Sequence, residues 1–184
     1  FIDCTSLTAV SLPNGVISVG NKAFFFCTRL EYVMISSSVT DIGINVFGDC
    51  PKLTSIWVDE SNAVFCSIGE VLFNKVTETL IQYPGGKAGA YAIPSGIRNI
   101  GEAAFYVCPN VTSISIPNSV TNIGKDAFYN CYVLASVLIG SGVTNIGEYA
   151  FGDSYSLTGI YFLGNAPGLG SSDVFSGDTD STVY

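Results

Sequence analysis

Six cysteines and fifteen acidic side chains carry most of the reactive chemistry in this 184-residue sequence, which has no histidine. Without histidine the commonest general base and metal ligand is missing. The cysteines show no paired C-x2-C spacing, so a zinc site is not expected. Asp59 and Glu60 are adjacent near a strand end and should point apart, and no second carboxylate pair is placed to flank a glycosidic bond. The serines have neither a histidine partner nor a nucleophile-elbow motif. Asp173, Asp178 and Asp180 lack the order of a calcium loop, and a solvated acidic loop is the plainer reading. These residue types point away from catalysis, and no metal or cofactor is expected.

Charge narrows the partners. The net charge is -8, and the seven cations (Lys22, Arg29, Lys52, Lys75, Lys87, Arg98, Lys125) are scattered. Counterion release needs clustered cations, so nucleic acid and anionic membranes are poor partners. Apolar residues make up 48% and charged residues 12%, enough for an ordered core. No apolar run reaches the roughly 18 to 20 residues that cross a bilayer, and no signal-peptide order is present, so no membrane insertion is expected within this segment. The sequence opens in mid-repeat at Phe1, as expected of a fragment of a larger protein.

What positions these groups is an internal repeat. Residues 105–127 and 128–150 carry the same residue classes at the same offsets, a period of 23. Phenylalanine marks the register at Phe1, Phe24, Phe47, Phe105, Phe128 and Phe151. Three residues later stand Cys4, Cys27, Cys50, Cys108 and Cys131, with Ser154 in the sixth place. Alternating pairs such as Val33 and Ile35, or Ile114 and Ile116, predict strands of about four or five residues. Pro13 and Pro117 end the strand, and Val19, Ile42, Ile123 and Ile146 point inward. Glycine follows each of these four, suggesting a corner that needs positive φ or close backbone approach. A short helical turn is expected between that glycine and the next Phe.

Such a coil buries its apolar face only by stacking, so strands about 4.8 Å apart should form a parallel sheet with side-chain ladders inside. Seven or eight coils would make a rod of about 35 to 40 Å. Laddered cysteines one coil apart fall within the Cα range of a disulfide, but their side chains point the same way, and buried free thiols are expected. Cys66 lies outside the ladder.

The expectation is a single solenoid over 1–184, with regular repeats at 1–58 and 90–163. Residues 59–89 break the period. Phe73 divides the interval from Phe47 to Phe105 into 26 and 32, an enlarged loop is expected at Asp59 to Asn62, and two apolar runs around Val76-Thr77-Glu78 suggest a protruding hairpin. Residues 164–184 start a further coil.

Between the inward strand residues lies an outward ladder: Ser11, Met34, Trp57, Ala92, Ser115, Leu138 and Tyr161, with Tyr32 flanking Met34. Trp57, Met34, Tyr32, Leu138 and Tyr161 make it more apolar than solubility requires, as at a binding face. The alternative is a face covered by loops or neighbouring modules. A second stripe, Phe25, Tyr106 and Tyr129, falls on the opposite side and reads as packing.

The segment LTSISIPNSVTxIGxxAFxxC, carried by Val111 to Cys131, resembles the 23-residue leucine-rich repeat of BspA-like surface proteins, the Treponema pallidum type. Gly69 to Lys75, Thr79 to Lys87 and Gly164 to Pro167 are similar to irregular elements of these proteins. The resemblance implies a right-handed leucine-rich-repeat solenoid on, or secreted from, a bacterial or protozoan cell. It implies adhesion to host extracellular-matrix or cell-surface proteins or to a surface glycan. A passive stalk is the alternative. The family offers no catalytic motif, and its repeat residues are structural.

Overall fold

A computed structural model describes residues 1–165, 167–169, 173–177 and 182–183. Each coil carries a four- to six-residue strand on one face, where β-branched residues alternate inward and outward: β1 (Ala9–Leu12), β3 (Tyr32–Ile35), β5 (Ser55–Val58), β9 (Gly89–Ala92), β11 (Val111–Ile116), β13 (Ser136–Ile139) and β15 (Gly159–Phe162), with the two-residue β17 (Thr182–Val183) beyond them. Pairing is parallel with a shift of one repeat, so Val10, Val33 and Ile56 face one another, as do Ile114, Val137 and Ile160. The result is a β-solenoid of about seven coils.

Three expectations are corrected. The strand face is not one sheet but two, ordered β1-β3-β5 and β17-β15-β13-β11-β9. Between them sits an antiparallel hairpin, β6 (Phe65–Ile68) and β7 (Val71–Asn74), because the Ile56 amide donates to the Glu70 carbonyl and the Val58 amide to Ser67 Oγ. Second, the stretch after the turn that ends each strand forms short strands of its own, in two sheets: β2 (Ser18–Val19) with β4 (Asp41–Ile42), and β10 (Asn99–Ile100), β12 (Asn122–Ile123), β14 (Asn145–Ile146) and β16 (Gly168–Leu169) in a line.

Third, no helix forms among the described residues. The segment before and after each marker Phe places non-glycine residues in the left-handed region at two offsets: Lys22 and Phe26, Asn45 and Asp49, Ala103 and Val107, Asp126 and Asn130, Tyr149 and Asp153, with φ between 50° and 59°. Left-handed residues four apart cannot sit in a right-handed helix. Instead the backbone donates forward to the next coil, as from Phe24 to Val46 (2.9 Å), Phe105 to Ala127 (2.7 Å) and Phe128 to Ala150 (2.7 Å). Bonds between coils thus replace bonds within a helix, and they offset the cost of the unusual φ values. At Gly43, Gly124 and Gly147 the recurring glycine answers to close approach, and a Cβ at Gly147 would meet the Lys125 amide nitrogen at 2.5 Å, whereas Gly20 in the first coil has open space.

The chain does turn at Val76-Thr77-Glu78 between the antiparallel strands β7 and β8 (Thr79–Gln82), but this hairpin lies within the solenoid rather than protruding from it. β7 pairs with both β6 and β8, β8 continues parallel to β10, and Val71, Leu72 and Phe73 are all buried. Val71 and Phe73 pack in the core of the later coils, Leu72 in that of the earlier ones. The strand is a wall between two cores. Phe73 is therefore not the coil marker. Tyr83, 36 residues after Phe47 and 22 before Phe105, stacks on Phe105 at 4.7 Å and begins the ladder Tyr83, Phe105, Phe128, Phe151, Phe175. Phe1, Phe24 and Phe47 form the other stack.

The cysteine ladder is a row of hydrogen-bond donors. All six cysteines are free. Cys27, Cys50 and Cys131 Sγ donate to the carbonyls of Phe1, Phe24 and Phe105 at 3.4, 3.3 and 3.0 Å, and Ser154 Oγ donates to Phe128 at 2.9 Å. Each thiol meets a carbonyl that the inward turn of the backbone leaves in the core. Cys131→Ser is expected to keep the stability within about 1 kcal/mol, whereas Cys131→Ala, which leaves the Phe105 carbonyl without its donor, should lose about 1 to 3 kcal/mol in urea unfolding.

Candidate binding surface

The parallel register brings Met34 directly beside Trp57, and Ser11 beside Met34, all outward from β1, β3 and β5. Trp57 and Met34 are each 51% exposed and Tyr32 46%. A shallow depression of about 320 Å³ lies beside Met34 and Trp57, and Ser11, Pro13, Asn14, Ser36 and Asp59 also line it. A second, of about 220 Å³, lies on the far side of the indole and is lined by Asp59, Glu60, Cys66 and Ser67.

Asp59 is held rather than free. Its backbone amide donates to the Ile35 carbonyl at 2.9 Å. Its Oδ1 accepts from the Ser61 hydroxyl (2.5 Å) and amide (2.9 Å), and these bonds hold the carboxyl below the usual carboxylate range. The sequence places this residue in an enlarged loop. In the structure that loop is anchored by Asn62, which is buried in the place that Val39 takes one coil earlier.

Leu138 and Tyr161 are also neighbours in register, 38% and 44% exposed, but on the other sheet. The ladder expected to be continuous is broken between Trp57 and Ala92, since β5 and β9 do not pair. The second patch surrounds a depression of about 350 Å³ with Tyr91, Ser113, Ser115 and Ser136. Tyr91 was missed because it occupies an inward position, opposite Ile114. Its hydroxyl is buried without a hydrogen-bond partner among the described residues, and burial pushes its pKa up to about 12.

On the turn side, Phe25, Tyr106 and Tyr129 form a row, with Tyr106 and Tyr129 stacked at 5.4 Å and Phe25 tilted 6.0 Å from Tyr106. The Tyr129 hydroxyl donates to Asp153, which, with burial, raises its pKa to about 12. Burial also raises the Asp49 carboxyl above its ordinary value. A carboxyl raised in the folded state favours folding when protonated, and that contribution is lost as pH rises through the folded pKa. Asp49→Asn keeps a residue type suited to φ +53° and removes the charge. Its thermal midpoint is expected to rise slightly at pH 7, since solvent screens a partly exposed carboxyl, and to match the parent below about pH 4, where the parent carboxyl is protonated.

Burial raises the thiol pKa of Cys27, Cys50, Cys66 and Cys108, so these stay protonated and poor nucleophiles. Among the described residues no cluster of acidic, cysteine or histidine side chains could hold a metal ion, and no helix is long and apolar enough to cross a membrane. Asp178 and Asp180 lie outside the described residues.

Residues 1–86 and 87–179 match the BspA type leucine rich repeat region, in six copies. The chain belongs to this family. The structure is similar to that of a leucine-rich repeat protein from Eubacterium ventriosum, with 28% identity, a TM-score of 0.78 and coverage of 84% of this chain and 42% of that one. A leucine-rich cell surface protein from Faecalibacterium prausnitzii shares 26% identity over 98% of this chain and 60% of its own, with a TM-score of 0.65. The pneumococcal vaccine antigen PcpA shares the fold, at 20% identity and a TM-score of 0.70 over 87% of this chain and 51% of its own. The BspA-type chain thus spans between 42% and 60% of these proteins. No curated protein is similar to it in sequence. The repeat solenoid is a scaffold of the kind found in bacterial surface proteins, and such scaffolds are in general non-enzymatic.

Proposed function

We propose that this BspA-type solenoid is a non-enzymatic interaction module, secreted or displayed on the surface of a bacterial or protozoan cell, and that it mediates adhesion by binding a host matrix or cell-surface protein, or a surface glycan, across its strand face. The observation that carries the reading is the adjacency of Trp57, Met34 and Tyr32. Three large side chains, each about half exposed, share one side of one short sheet. Solvent-facing ladders in a soluble solenoid are ordinarily polar, and aromatic residues with a methionine are the composition of a contact surface. Leu138 and Tyr161 provide a second contact on the same reading. Similarity to a leucine-rich cell surface protein supports the location.

The test is saturable binding of the chain to immobilised matrix proteins, host-cell surfaces and glycans, with Trp57→Ala beside it. Loss of about ten-fold or more in the variant is expected of an anchor residue. A folded protein that binds nothing on such a panel would instead act as a passive spacer.

A further inference from the structure

Resting on that reading, we infer that the Trp57 patch takes a cationic segment of a partner protein, with an arginine or lysine side chain laid on the indole and its charge at Asp59. The two depressions flanking the indole share Trp57 and Asp59, and the second adds Glu60. No lysine or arginine lines either one. Each therefore offers an aromatic wall beside fixed negative charge, the combination that binds a guanidinium or ammonium by its face and its edge together.

Asp59 is suited to the role because Ser61 fixes its orientation and holds it ionised. A pre-oriented carboxylate loses little freedom when a cation arrives. Met34, exposed and adjacent, provides an adaptable surface for the aliphatic stem of the same side chain. The net charge of -8 favours encounter with a basic segment at long range. The second patch supplies the contrast within the molecule: Tyr161, Leu138 and Tyr91 stand there among serines, with no carboxylate in the lining.

Trp57 is the sole tryptophan, so its fluorescence reports on this patch alone. The full chain is titrated at physiological ionic strength with a peptide of alternating arginine and glycine, and separately with one of alternating glutamate and glycine. A saturable change with the arginine peptide is expected, and none with the glutamate peptide. Asp59→Asn, which retains an acceptor for Ser61, should weaken binding about five-fold. Asp41→Asn, the same change of net charge on the separate strand β4, should not. Equal weakening by both variants, equal response to the glutamate peptide, or no saturable response would overturn the inference. The strand-face reading fails separately: it falls if Trp57→Ala leaves binding to the immobilised panel intact. Panel binding that is lost in Trp57→Ala and unchanged in Asp59→Asn would keep the face and reject the cation.

Discussion

Asn62→Leu is expected to cost about 3 to 5 kcal/mol in unfolding free energy, although it replaces a polar residue by an apolar one of similar size in a fully buried position. Asn62 Nδ2 donates to the carbonyls of Ser36 and Val39, both at 2.9 Å. Its Oδ1 accepts from the amides of Val64 (2.9 Å) and Phe65 (2.7 Å). One side chain thus satisfies two carbonyls of the preceding coil and two amides at the entry to β6. Leucine would fill the space and leave the Val39 carbonyl and the Val64 and Phe65 amides without partners, each costing on the order of 1 kcal/mol or more where water cannot reach, and the Ser36 carbonyl with only its 3.4 Å bond from the Val39 amide. Urea unfolding followed by circular dichroism measures the loss. A change below about 1 kcal/mol would mean that water reaches these groups. Asn62→Asp should also destabilise, because a carboxylate would turn its charge on the Ser36 and Val39 carbonyls.

The second large effect is expected at Phe128, whose ring is fully buried between Phe105 at 4.7 Å and Phe151 at 5.1 Å. Phe128→Ala removes contacts on both ring faces and opens a cavity that the hydrogen-bonded coils on either side cannot close, at a cost of about 3 to 5 kcal/mol. Phe1→Ala tests the explanation. Phe1 is 79% exposed and stacks on Phe24 with one face only, so its loss should cost under about 1 kcal/mol. Comparable losses at the two positions would show that the ladder is not what the marker residue contributes. Against the 5 to 15 kcal/mol typical of a folded domain, the Phe128 loss would leave a marginal protein.

Much of this was legible in the sequence because a fixed period turns spacing into contact. Residues 23 apart are neighbours, so the adjacency of Met34 and Trp57, and of Leu138 and Tyr161, follows once the repeat is seen. The left-handed positions were not legible. Five hold Asn or Asp, which favour that region, but the other five hold Lys, Phe, Ala, Val and Tyr, where the bonds between coils rather than the residue's own preference impose the conformation, and no glycine marks any of them. Tyr83 was hidden because the inserted hairpin shifts the period ahead of it and because a tyrosine stands where the other coils place phenylalanine. The hydrogen bond from Cys108 Sγ to its carbonyl, 3.9 Å, repeats the arrangement of the phenylalanine coils. Asn62 looked like loop because it follows Asp59, Glu60 and Ser61. Only the count of 23 from Val39 would have placed it inside. Asp59's fixed orientation depends on a bond to a residue two places away, which composition does not reveal.

The wall formed by β7 bears on how such a gene can change. On either side of it the coils from Phe1 to Phe47 and from Phe105 to Phe151 share one length and one bonding pattern, so duplication or loss of a whole 23-residue unit there presents the same donors, acceptors and ring faces to the coils that remain. Within 59–82 the tolerance differs. Adding one residue ahead of Val71 would reverse β7, turning Leu72 toward the later core and Val71 and Phe73 toward the earlier one. Copy number should therefore vary freely among relatives of this chain, while the spacing between Asn62 and Leu80 stays fixed.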